Sequence, residues 1–232
     1  MSETTRISTL DGSKDFMAYV ARPEGEPRAA IIVIQEIFGV NAGIRRKCDL
    51  LAEGGFLAVA PDLFWRLGEG IELDPDIEPE FKQALDLMGK FDQDGGVKDI
   101  EASIKWARSH SGGKNVGAVG YCLGGRLAYM TAARTDSDAT VGYYAVGIDE
   151  LLGEKHAIAN PLMLHIPTED GFVDKDTQKA MHDGLDDHPK VTLHDYEGMD
   201  HGFATQFGKR RDDENAELAD KRTMDFFAEH LG

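Results

Sequence analysis

Short unbroken apolar runs alternate along this chain with longer stretches whose apolar residues recur every three or four positions. Runs such as AAIIVIQ (29–35) are too short for a helix and carry no polar alternation. They read as strands buried on both faces. DFMAYVARP predicts an early strand in an antiparallel edge pair, and FLAVAPDLF a strand ended by Pro61 and Asp62. A helix is expected over 42–53. The Gly-, Pro- and acid-rich stretch 67–79 reads as an excursion over the surface, followed by helices over 79–90 and 95–110. VGAVGYCLGG begins as a strand and turns helical near Leu123. ATVGYYAVG and PLMLHIPTED predict two more buried strands, and VTLHDYEG the last. DENAELADKRTMDFFAEHL closes the chain as an amphipathic helix, with Leu218, Phe227 and Leu231 as its expected buried positions. Strands alternating with helices predict an α/β fold, a mostly parallel sheet with helices on both faces. With no repeat or linker in view, residues 1–232 are expected to form one domain.

Composition narrows the function classes. A hydrophobic fraction of 41% and a charged fraction of 29% suit a soluble globular chain. No run approaches the roughly 18 apolar residues of a membrane span. MSETTRISTLDG has neither the basic start nor the apolar run of a secretory signal, so the cytoplasm is the expected location. The formal charge of -17 repels phosphate backbones and argues against a nucleic-acid partner. No exposed apolar stripe stands out, which makes a monomer the default. Only two cysteines occur, too few for a disulfide framework. Cys48 falls on the apolar stripe of the 42–53 helix and is expected in the core.

Cys122 has a different setting. Gly120-Tyr121-Cys122-Leu123-Gly124-Gly125 places a thiol on a Gly-x-Cys-x-Gly turn between strand and helix. Such a turn strains the nucleophile's backbone, and side chains two residues to either side would collide, hence the glycines. The turn also aims the first N–H groups of the new helix at a developing oxyanion. A thiol attacks as thiolate and needs a base and an orienting acid. Asp170 follows the strand PLMLHIPTE and His201 follows VTLHDYEG, in the order nucleophile, acid, histidine expected on such a sheet. Asp174 and Asp200 are the reserve acids. The other histidines compete less well: His165 and His194 lie within strands, and His182 and His230 on helical surfaces. His194, Asp195, Asp200 and His201 match no metal-ligand spacing, so no metal is expected.

With these residues in view, the chain resembles the dienelactone hydrolases (carboxymethylenebutenolidases) over nearly its whole length. The matching blocks are VIQEIFGVNAGIRR, AVAPDLFWR, VGYCLGG, TVGYYAVG, ED-x-FV and DHGFA. The resemblance implies the α/β-hydrolase fold, no cofactor, and opening of a small ester or lactone through a Cys122 acyl-thioester with His201 and Asp170. It also implies that Glu36 pairs with the resting thiol, where a carboxylate disfavours thiolate by like-charge repulsion. The oxyanion donors would be the backbone N–H groups of Leu123 and Ile37. Phe38, Tyr121, Leu85, Met88 and Phe203 are the expected pocket residues, with Lys82 as the candidate cation of the 79–90 helix. Family members that take dienelactone hold its carboxylate with two arginines. This chain has Thr205 at one of those positions and no Arg near Phe81 at the other, so a neutral ester or lactone is expected. Two rivals remain. A glutamine amidotransferase shares the turn but needs a His-x-Glu pair, which is absent. A ligand-binding relative could keep the turn without turnover.

Overall fold

The computed structural model describes residues 1–232, and its backbone follows the apolar pattern closely. In chain order the strands are β1 (Ser2–Ser8), β2 (Asp15–Ala21), β3 (Ala30–Ile34), β4 (Leu57–Pro61), β5 (Val116–Tyr121), β6 (Ala139–Tyr143), β7 (Leu162–Pro167) and β8 (Val191–Tyr196). The helices are α1 (Ala42–Glu53), α2 (Glu78–Lys90), α3 (Gln93–His110), α4 (Leu123–Arg134), α5 (Lys175–Leu185) and α6 (Asp213–Leu231), with a 3-10 segment over Asp149–Ala157. All eight strands form one sheet in the order β1-β2-β4-β3-β5-β6-β7-β8. The β1 and β2 pairings are antiparallel and the rest are parallel. β3, β4, β5, β6 and β7 are buried at every position, as their unbroken apolar runs require.

α1 and α6 cover one face and are tied together by Lys47 and Asp220, while α3 and α4 pack on each other and on the sheet from the other side. β3 is flanked by β4 on one side and β5 on the other, so the chain reverses direction across the sheet between β3 and β5. Loops leaving the carboxyl ends of two such strands part there and open a crevice, the usual place for a ligand in an open α/β sheet. Glu36 and Ile37 follow β3, and Cys122 follows β5. No helix is long and apolar enough to cross a membrane.

One expectation needs correction, and one strand lies outside what the pattern predicts. The closing helix exposes Leu218 at 43% and instead buries Ala216, Ala219, Thr223 and Phe226 beside Phe227 and Leu231. Small residues let α6 sit close to β5, where Gly117 leaves room for Phe227 and Leu231. The first strand was also unforeseen. SETTRIS is mostly polar because β1 is an edge strand with little core to cover. Cys48 is fully buried, as expected.

Candidate active site

The turn at Cys122 is as tight as the glycines imply. Cys122 has φ 57 and ψ -116, a conformation that costs a non-glycine residue about 1–3 kcal/mol. A Cβ on Gly120 would lie 1.8 Å from the carbonyl oxygen of Gly124. One on Gly124 would lie 2.4 Å from that of Ile34. The glycines therefore let α4 begin directly against the end of β3. Gln35, fully buried, locks the neighbouring loop by accepting from Leu63 N–H at 3.0 Å and donating to the Glu36 carbonyl at 3.3 Å. Neither the Leu123 nor the Ile37 backbone N–H is donated to another backbone carbonyl. Leu123 directly follows Cys122, and Ile37 borders the same cavity as Cys122.

His201 Nδ1 lies 2.9 Å from Asp170 Oδ2 and 3.1 Å from Oδ1, and both side chains are buried. Asp170 is held from behind, since its Oδ1 accepts the N–H groups of Phe172 and Val173. With Nδ1–H given to Asp170, the other ring nitrogen is free to face the thiol. Burial alone would pull the imidazolium down, but the neighbouring Cys122 and Asp170 overcome it and push His201 up to about 10. The reserve acids have other work. Asp174 caps α5 through Thr177 N–H, and Asp200 accepts the N–H groups of Gly171 and His201.

Cys122, His201, Glu36 and Ile37 border one cavity of about 70 Å³, walled by Phe38, Phe81, Leu85, Met88, Val146 and Phe172. Phe38 and Phe81 meet at 5.8 Å between ring centres. Phe81, Leu85 and Met88 recur at helical spacing on α2 and line the cavity from that helix, with Leu85 still exposed at 44% while Ala84 and Leu87 are the buried α2 residues. Three of the expected pocket residues lie elsewhere. Lys82 is one helical step round from Phe81, exposed, and bonded to Glu78 at 2.5 Å. Phe203 is sealed beneath the His201 loop against Tyr196 and Tyr144. Tyr121 packs on Tyr143 with Lys47 over its ring, and borders a neighbouring chamber rather than this cavity.

That chamber, about 340 Å³, shares the Glu36 wall and also meets Lys47, Tyr144 and Thr205. Glu36 makes no hydrogen bond to Cys122. Burial pushes its carboxyl up, while His201, Tyr144, Lys47 and Arg210 pull the other way. Lys47 is buried too. Burial lowers its ammonium and Asp220, at 2.9 Å, opposes that.

Sequence reasoning missed Arg210. It comes nine residues after His201, reaches the cavity, sits 5.5 Å over the Phe172 ring and donates to the His201 carbonyl at 3.3 Å. It has no carboxylate in ion-pair contact. The basic cluster KRR at 209–211 was the available signal, but nothing in the linear pattern says which of the three turns inward.

The sequence profile of the dienelactone hydrolase family matches residues 16–231. The Azospirillum brasilense protein named "Putative carboxymethylenebutenolidase" is 44% identical over 229 residues, covering 96% of each chain. A carboxymethylenebutenolidase of Pseudomonas putida is 39% identical over 230 residues, 98% of this chain and 97% of its own. Among solved structures, the Klebsiella pneumoniae protein named "Putative Dienelactone Hydrolase" superimposes with a TM-score of 0.84 at 28% identity, over 98% of this chain and 99% of that one.

Proposed function

Given that the chain belongs to the dienelactone hydrolase family, we propose that it cleaves a small ester or lactone through an acyl-thioester on Cys122. The observation that carries this reading is the bonded His201–Asp170 pair opening on the same cavity as a cysteine on a strained turn. In the proposed cycle, His201 takes the thiol proton while Asp170 holds the imidazole and stabilises its charged form. The thiolate attacks the acyl carbon, and the oxyanion points at the N–H groups of Leu123 and Ile37. Collapse expels the alkoxide, which takes the proton back from His201. In a lactone that new hydroxyl stays on the acyl chain. Water, deprotonated by His201, then attacks the thioester and releases the acid with the thiol restored.

The expected neutral substrate rested on the lack of a cation at two positions. Arg210 enters the cavity from a third, with no carboxylate in ion-pair contact, in a protein whose overall charge would otherwise turn anions away. The substrate we infer carries a carboxylate or similar anion on an otherwise apolar acyl part, which a guanidinium binds well. A panel of lactones and esters, charged and neutral, tests the reading with Cys122→Ala as control. Turnover that disappears in the variant supports it. Absence of turnover in both proteins across the panel, or equal turnover in both, removes it.

A further inference from the structure

Two tyrosines follow one another at the end of β6, and their surroundings differ. The Tyr143 hydroxyl is satisfied by Asp220 at 3.0 Å and Thr223 at 2.6 Å. The Tyr144 hydroxyl is sealed from solvent and meets no partner within hydrogen-bonding distance. Tyr144 also has φ 37, one of only two non-glycine residues with positive φ; the other is Cys122. A buried unpaired hydroxyl and a strained backbone both cost stability, so their coincidence calls for a functional reason. The strained turn swings Tyr144 toward the catalytic crest. Its ring edge packs on His201 at 5.0 Å, its N–H is anchored on the His165 carbonyl at 2.9 Å, and it borders the polar chamber beside Glu36.

We propose that Tyr144 is a positioning residue whose hydroxyl is the hydrogen-bond donor for ionised Glu36, holding that carboxylate on the chamber side of the sulfur. The assignment rests on the reading of Cys122 as nucleophile with Glu36 as its neighbour. Glu36 and Tyr144 border the same chamber, and the Tyr144 hydroxyl is among the groups that hold the Glu36 carboxyl down against its burial. The other groups facing Glu36 are His201 from the β8 loop, Lys47 from α1 and Arg210 from the loop before α6. Glu72, Asp74, Asp76 and Glu80 line the far side of the chamber from the β4–α2 segment. Lys47 and Arg210 have other partners in Asp220 and the His201 carbonyl, whereas Tyr144 has none. Among these donors it is the one whose geometry has no other explanation.

The test is the pH profile of Cys122 alkylation by iodoacetamide, in the whole protein. A hydrogen bond to the charged form favours that form, so Tyr144→Phe should move the Glu36 inflection up by about one pH unit. Glu36→Gln should abolish the inflection, and Tyr144→Phe/Glu36→Gln should superimpose on Glu36→Gln. An inflection in Tyr144→Phe that stays at the wild-type pH overturns the assignment. So does a Tyr144→Phe effect that persists undiminished in the Gln background, because a purely structural ring would act that way. A second measurement leaves Tyr144 in place and makes no use of thiol chemistry. The Tyr144 ¹³Cζ resonance should titrate with Glu36 in the wild type and lose that step in Glu36→Gln; identical titrations overturn the proposal. If Cys122→Ala retains full turnover, the nucleophile reading falls, and the ¹³Cζ titration still decides the Tyr144–Glu36 contact.

Discussion

Replacing Asp170 with Asn is the sharpest perturbation of the proposed chemistry, because it removes a charge while leaving the side-chain shape. Asp170 Oδ1 accepts the N–H groups of Phe172 and Val173 at 2.8 and 3.2 Å, and Asn can keep those bonds through its own oxygen. Its amide nitrogen then faces His201 Nδ1, where Oδ2 had stood at 2.9 Å. Two donors cannot share that contact, so the imidazole takes the opposite tautomer and presents N–H, rather than a lone pair, to the thiol. The pair is buried, and removing one partner of a buried ion pair costs about 3–5 kcal/mol. If most of that loss falls on the transition state, kcat/KM should drop by about 10²- to 10⁴-fold, at 1.36 kcal/mol per decade. The assay is steady-state hydrolysis of an activated ester at neutral pH, beside a urea melt showing that the variant is folded. A folded Asp170→Asn protein within about threefold of wild type in kcat/KM, on the same energy scale, would refute the assignment of Asp170 as the orienting acid.

Gly124→Ala should lower stability by about 1–3 kcal/mol and reduce kcat as well, since the new Cβ would lie 2.4 Å from the Ile34 carbonyl oxygen and push α4 off the elbow; an unchanged urea midpoint would count against that packing. Arg210→Gln should raise KM for carboxylate-bearing esters at least about tenfold while leaving neutral esters nearly untouched, in line with a charge-assisted bond lost; equal effects on both substrate kinds would show that Arg210 acts on fold rather than on substrate. An imidazolium whose folded pKa lies above its ordinary 6.5 stabilises the fold fully below 6.5 and progressively less as the pH climbs through about 10. The urea midpoint of the wild type should therefore fall relative to that of His201→Gln between those values, and parallel curves would contradict it. A thiol reagent should label Cys122 well before Cys48, whose thiol is pushed up by complete burial; peptide mapping reads the order directly.

How much of this was legible beforehand depends on how local each feature is. The 42–53 helix, the five inner strands and the Gly-x-Cys-x-Gly turn are written in neighbouring residues, through apolar period and the steric demand of a positive-φ nucleophile. Asp170 and His201 were legible by a weaker signal, their places just beyond predicted parallel strands, which bring all such positions to one sheet edge. The fold class, the turn and the candidate partners were thus determined by sequence alone. What only tertiary structure decided is which side chains close the site from a distance. Lys47 meets Asp220 across 173 residues, and Tyr144 packs on His201 by a bend that its neighbour Tyr143 does not share. Arg210 turns inward while Arg211 pairs with Asp213, and Lys82 turns outward while Phe81 turns in. The reason is physical. Period and propensity act over a few residues, whereas the direction of a loop side chain is set by the free energy of packing and pairing against elements that the chain brings alongside only when folded.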